Sequence, residues 1–356
     1  MFFLIARRSI DQPGPTSPIQ QFLAKHPQRF MHIFLLRNLN FHSRPIAALI
    51  VVAGLFTNPA TAQDSEAFRA GTTIDCPGCD LTGLEMTAVS LVGANLAGAI
   101  LTGANLAGTD LTGANLEDAN LELANLERTV FDQAKMARAE MTDADLARAS
   151  LANTDLTDAI LVRANFHRAV MPGVNLAGAD LSVASFNVAN LREANLSNTL
   201  LSYADFFLAD MTKANLTDAY MWRGNTRRAR MQSVDVSGAQ FIECDFREAR
   251  MSGAVTSPET DFTDSRMEDT NFRGIDFTGV NFTNASLIGA MLRDTILVGT
   301  NFHRANLQGA DLADTDLTGT IFTDANLSRA IFPSDGEGRE LAVYGNTTMP
   351  DGVKRD

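Results

Sequence analysis

One feature outranks every other in this chain: between Leu81 and Phe332 a large apolar residue returns at every fifth position. The series runs Leu81, Met86, Leu91, Leu96, Leu101 and onward to Met251, and only Thr226 breaks it. An extra residue near Ser257-Pro258 shifts the phase, and the beat resumes at Phe262, Met267 and Phe272 and continues to Phe332. Two residues before each beat stands a small one (Ala94, Ala99, Ala104, Thr109), with Leu84, Cys244 and Ile275 among the few larger. A helix has a period of 3.6 and a half-buried strand alternates, so neither accounts for this pattern. A short repeat sustained over some 250 residues predicts a solenoid, each unit burying its face only against its neighbours.

Positions twenty apart carry like residues. Phe166, Phe186, Phe206 and Phe246 form one series, interrupted only at Thr226; Met171, Met211, Met231 and Met251 form another; Phe262, Phe282, Phe302 and Phe322 form a third. If a coil takes twenty residues, these side chains stack, and stacked rings and thioethers pack favourably across adjacent strands. Twenty residues at five per side predict a four-sided coil, about 12 coils in all, and a rod near 60 Å long at roughly 4.8 Å per strand.

The repeated words Ala94-Asn-Leu-Ala-Gly98, Ala214-Asn-Leu-Thr-Asp218 and Ala310-Asp-Leu-Ala-Asp314 resemble the A-(D/N)-L-x-x unit of the pentapeptide-repeat family. The resemblance covers 81–332. It implies that family's fold, an all-β, right-handed, four-sided parallel β-helix. It implies no single activity, because the family shares an architecture. Some members resemble B-form DNA in shape and charge and protect a type II topoisomerase. An acidic rod fits that description, which makes a cytoplasmic DNA-mimicking, topoisomerase-binding protein the alternative to the reading developed below.

That reading begins at the N-terminus. Arg37 and Arg44, the apolar run Ile46–Phe56 and the small-residue triplet Ala60-Thr61-Ala62 match a secretory signal with cleavage before Gln63. The run is too short to span a bilayer, which takes about 20 residues. Residues 1–62 are therefore expected to be leader and signal, with Met31 a second candidate start, and the mature chain to be periplasmic or secreted without a membrane span. Residues 63–80 read as linker and N-terminal cap, 81–332 as β-helix with a break near 256–261, and 333–356 as C-terminal tail or cap. Removing the six Lys/Arg and one acid of residues 1–62 takes the net charge from −13 to −18. Such a charge keeps a long β-structure soluble and argues against nucleic acid as a partner.

Cys76-Pro77-Gly78-Cys79 has three readings: a disulfide closing the first turn, a dithiol redox motif, or half of a metal site. Redox chemistry of this kind calls for a βαβ setting, and a metal site for a second ligand pair, neither of which the sequence offers. The disulfide reading is preferred. Cys244 falls in a small inward slot and reads as packing.

With the core assigned, function is left to the outer slots. On the side carrying Leu161, Leu181, Leu201 and Met221 these hold Ile160, Val162, Val183, Leu200, Tyr203, Tyr220, Trp222 and Ile242, with Phe207 and Leu208 round the corner. An exposed apolar patch rich in Trp and Tyr marks either a partner-binding site or a face that the chain itself covers. Beside it run Arg128, Arg148 and Arg168, then Arg223, Arg227, Arg228, Arg230 and Arg247. Asp145, Asp205 and Asp245 share that face, so the stripe reads either as a solvated ion-pair ladder or as a docking strip for an acidic partner. Tyr203, Phe207, Leu208, Tyr220, Trp222, Arg223, Arg227 and Arg228 are the candidate contact residues for a protein partner. A solenoid end left open would pair with a second copy, so a homodimer through an end is a further expectation. No catalytic, cofactor or metal residues are expected. Beyond residue 62 the histidines are His167 and His303, 136 residues and nearly seven coils apart, and no nucleophile–base set or phosphate loop stands out.

Overall fold

A computed structural model describes residues 59–333 and 340–356, which belong to one compact unit. The apolar run of the proposed signal lies outside the described residues. The stretch read as linker and N-terminal cap begins with helix: α1 spans Pro59–Arg69 and includes the backbone of the small-residue triplet. Proline suits its first position, where the missing N–H costs nothing. The helix ends in a Schellman motif, with Gly71 at φ +70°, its N–H donating to Phe68 O at 2.9 Å and the Thr72 N–H to Ala67 O at 3.0 Å. Phe68 is buried with Cys76 and Cys79, so α1 closes the N-terminal end of the core.

From Asp80 the chain winds as a right-handed quadrilateral β-helix. Parallel bridges join residues twenty apart, from Asp80–Ile100 through Asp235–Val255 and again from Asp261–Asn281 through Asp311–Ile331. Most sides contribute a single bridging residue per coil. The exception is a parallel pair, β1 (Tyr220–Trp222) against β2 (Gln240–Ile242). One coil holds 21 residues, with Gln240 opposite Asp261 and Asp245 opposite Arg266. The extra residue is absorbed at 256–260, where side chains replace lost ladder bonds: Gly238 N–H donates to Ser257 Oγ (3.0 Å), and the Thr260 hydroxyl to Val236 O (3.1 Å). Pro258 is exposed there, as a residue without a ladder donor should be.

The inward Leu, Phe, Met and Ala side chains form one continuous buried core. Phe166 stacks on Phe186 at 4.8 Å and Phe186 on Phe206 at 4.7 Å, both within 2° of parallel. A longer stack runs Phe241, Phe262, Phe282, Phe302, Phe322 and Tyr344. Tyr344 belongs to the C-terminal segment, which continues the winding by pairing Val343 with Ile321 and Thr348 with Asn326. A turn at Met349–Gly352 then folds β4 (Lys354–Arg355) back antiparallel on β3 (Thr347–Thr348). The chain thus covers both ends of its own core.

The corners follow a rule of their own. Every fifth residue from Gly83 to Gly253, and again from Asp264 to Arg329, has φ between +55° and +72°. Gly, Asp and Asn fill more than half of these corners, as left-handed backbone favours. The Asn or Asp before many of the beats steadies the bend by accepting from the N–H two residues on, as in Asp110 to Thr112 (3.0 Å) and Asn215 to Thr217 (2.9 Å).

Candidate functional site: a corner of bulky left-handed residues

At such a corner a residue with a Cβ in the left-handed region costs roughly 1–2 kcal/mol. Five corners carry a large apolar or aromatic side chain: Leu123, Val183, Val188, Tyr203 and Leu208. All but Leu123 fall in two successive coils, at two neighbouring corners. Val183 and Tyr203 stack at one, Val188 and Leu208 at the next. They frame the outer side that carries Asn187 and Phe207.

The apolar patch expected from sequence is only partly on the surface. Leu200 and Tyr220 are each 2% exposed and Val162 is 8% exposed, while Ile160, Val183, Tyr203, Phe207, Trp222 and Ile242 are half-buried. Outward slots two residues apart, or one coil up or down, lie within side-chain reach, so large neighbours shield one another. Of the candidate contact residues with apolar side chains, only Leu208 is exposed, at 46%. Tyr220 supports the patch from beneath.

Above Tyr220 the aromatic ledge is knitted together. Tyr203 and Trp222 meet edge-on at 5.1 Å, and the Arg223 guanidinium lies 4.7 Å from the Trp222 ring centre. Glu243 ties both: its carboxylate accepts from Trp222 Nε1 (3.1 Å) and from Arg223 Nε (2.7 Å). Hydrogen bonds from Arg223 to Glu243 and to Tyr203 hold its guanidinium more firmly protonated than usual. Below the ledge, Gly224 and Thr226 replace the larger inward residues found elsewhere. A Cβ on Gly224 would drive into the Met221 thioether, which occupies that space.

The arginine stripe resolves into pairs and exceptions. Arg227 and Arg228 both bond Glu248 (2.8 and 2.7 Å), Arg247 bonds Asp245, and Arg128 and Arg148 both approach Glu127 (3.6 and 3.4 Å). Arg192 and Arg230 share Asp210 at 3.4 and 3.6 Å. Asp145 and Asp205 instead accept from Asn165 and Asn225. Among the described residues Arg168 and Arg250 make no ion pair.

Cys76 and Cys79 are joined in a disulfide with their Cα atoms 5.4 Å apart. Cys244 is fully buried, its thiol donating to Met221 O at 3.3 Å, and burial pushes its ionisation far above the usual thiol range, which removes it from chemistry. His303 Nδ1 lies 3.1 Å from Thr323 O, well apart from His167. Among the described residues no cluster of His, Cys, Asp and Glu is arranged to hold a metal, and no helix is long and apolar enough to cross a membrane.

The family model described as pentapeptide repeats matches residues 79–187, 189–222, 227–255 and 260–332 in overlapping stretches. The chain belongs to the pentapeptide-repeat family. The larger interruptions in that match, 223–226 and 256–259, coincide with the Arg223–Thr226 irregularity and the 21-residue coil. Pentapeptide-repeat proteins are generally structural or binding proteins. Among solved structures the chain is similar to HetL, a pentapeptide repeat protein involved in heterocyst differentiation regulation from the cyanobacterium Nostoc sp., at 25% identity over 82% of this chain and 97% of that one, with a TM-score of 0.20. It is also similar to QnrB1, a plasmid-mediated fluoroquinolone resistance protein, at 15% identity over 52% and 92% (TM-score 0.31). A pentapeptide repeat protein of the Arabidopsis thaliana thylakoid lumen matches at 30% identity over 36% and 65% (TM-score 0.19). No curated protein matches the chain.

Val170 and Val188, which are 47% and 44% exposed, are contact candidates that sequence reasoning passed over. For Val188 the signal was available: reading every fifth residue at the corner position, rather than at the core position, isolates Val183, Val188, Tyr203 and Leu208 as a group, with Leu123 apart.

Proposed function

We propose that this pentapeptide-repeat chain is an exported, non-catalytic scaffold that binds a protein partner at the sector bearing Tyr203, Phe207, Leu208, Trp222, Arg223, Arg227 and Arg228. The observation that carries the reading is the grouping of Val183, Val188, Tyr203 and Leu208 at left-handed corners. The fold does not require them, since Gly, Asp or Asn serves the same corners elsewhere at lower cost, and bulky residues held at such cost suit recognition. Export is supported by the residue pattern of 31–62 and by the Cys76–Cys79 disulfide, a bond that persists in oxidising compartments. The DNA-mimic reading has the acidic charge in its favour, but an arginine-rich corner interrupts the acidic surface such mimicry would need.

Two experiments test this. Crosslinking capture from the native envelope fraction should recover a species that Trp222→Ala with Phe207→Ala loses and that Thr217→Ala, on another side, retains; equal recovery by all three chains would defeat the patch. N-terminal sequencing of the chain from cells should read from near Gln63. An intact N-terminus in the cytoplasm would transfer support to the DNA mimic.

A further inference from the structure

The corner column Arg148, Arg168, Val188, Leu208, Arg228 takes one residue from each of five successive coils. Two aliphatic side chains stand between cations, and exposed Val170 lies beside them. The next column adds Arg230 and Arg250, which line a surface groove with Leu208 and Arg228 and with two carboxylates, Glu248 and Asp269, against its three arginines. The neighbouring carboxylates do not balance this charge. Asp210 serves both Arg192 and Arg230, Glu248 serves both Arg227 and Arg228, and Arg168 and Arg250 have no acidic partner among the described residues. The strip is therefore cationic on a chain whose net charge is −13.

From this geometry we infer that the corner binds an extended acidic segment of the partner, with aliphatic or aromatic side chains at its middle and carboxylates at both ends. The inference rests on the scaffold reading above and specifies the partner's chemistry. Four coil steps separate Arg168 from Arg250, about 19 Å at roughly 4.8 Å each, which an extended chain covers in about six residues. Carboxylates would meet Arg168 at one end and Arg250 at the other, and the central side chains would lie on Val188 and Leu208. Complementary charge would steer approach and fix register, while the apolar centre excludes water. An anionic membrane is the poorer fit, because the remaining surface is acidic and would be repelled from it.

The test pans a random hexapeptide display library against the full chain. The expected result is enrichment of peptides with Asp or Glu near both ends and Leu, Ile, Val or Phe between. A synthetic peptide of that pattern should bind at least tenfold more weakly to Val188→Asn with Leu208→Asn, and also to Arg168→Gln with Arg250→Gln. Asparagine tolerates left-handed corners, so the first pair should keep the fold, which circular dichroism checks. Absence of acidic enrichment, affinity unchanged in both variant pairs, or tighter capture of phosphatidylglycerol vesicles than of the peptide would each overturn the inference. Capture of the native partner that depends on Trp222 but not on Arg168 or Arg250 would overturn this inference alone and leave the scaffold reading standing.

Discussion

The coils around residues 91–119 and those around 183–228 share one core and differ on the outside. In the earlier stretch the corners are Gly93, Gly98, Gly103, Gly108, Gly113 and Asp118, and the outward slots mix Asn, Asp, Thr and Ala with the aliphatic Val92 and Ile100 but hold no aromatic residue. In the later stretch the corners include Val183, Val188, Tyr203, Leu208 and Arg223, and Tyr220 and Trp222 fill outward slots. Both stretches bury their beat residues almost completely. The earlier coils therefore show what winding the chain requires, and the later ones show what has been added beyond it.

The inner comparison should give the largest effects. Phe186 is stacked on both faces, and Phe186→Ala should cost about 3–5 kcal/mol in urea unfolding through cavity formation and lost ring contacts. Leu106→Ala, on the same side four coils earlier, should cost about 2–4 kcal/mol. A larger loss at Leu106 than at Phe186 would mean that the phenylalanine stack adds nothing to the common core.

Glycine substitutions come next, and their causes differ between the two regions. Gly224→Ala must displace the buried Met221 side chain, an overpacking cost of about 1–3 kcal/mol. Gly103→Ala meets no atom within 4 Å but places a Cβ at φ +65°, for about 1 kcal/mol. In a Met221→Ala background the further cost of Gly224→Ala should shrink, while that of Gly103→Ala should not. Equal behaviour at both glycines would remove the claim that residues 223–226 are a repacked irregularity.

Much of this was legible from the period alone. Spacing of five names the buried residues, and spacing of twenty names their neighbours, which is why Phe166 and Phe186 could be paired from sequence. Exposure was harder to read. Whether Tyr220 is covered depends on the bulk of residues two positions along its own side and one coil above and below, so a slot that points outward is not thereby exposed. Helix α1 was missed because the five-residue beat had not yet begun there. Its signal was a different one, Pro59 at the start and Gly71 just past the end. The balance of the arginine stripe was also hidden, since a glutamate such as Glu248 can serve two guanidiniums and leave others without a partner.

The corners themselves should show a smaller effect of opposite sign. Val188→Asn and Leu208→Asn relieve left-handed strain, so each should raise stability by up to about 1 kcal/mol while weakening binding. Gly103→Asn, at a corner already without strain, should change stability little. A destabilised Val188→Asn would indicate that the valine is held by packing rather than kept for contact.

The smallest effect concerns charge on the same sector. Hydrogen bonds from Arg228 and Arg227 hold the Glu248 carboxyl below the usual glutamate range. A carboxyl with a depressed folded-state pKa stabilises the fold at pH above its unfolded value, near 4.3, and that contribution fades as pH falls through the lower folded value. Acid titration should therefore loosen the Arg227–Glu248–Arg228 clamp only below about pH 4. The wild-type chain should lose slightly more stability across that interval than Glu248→Gln, which has no proton to take up there. Equal acid limbs for wild type and Glu248→Gln would show that solvent already screens the clamp fully, and that its two arginines are as available to an acidic partner as Arg168 and Arg250.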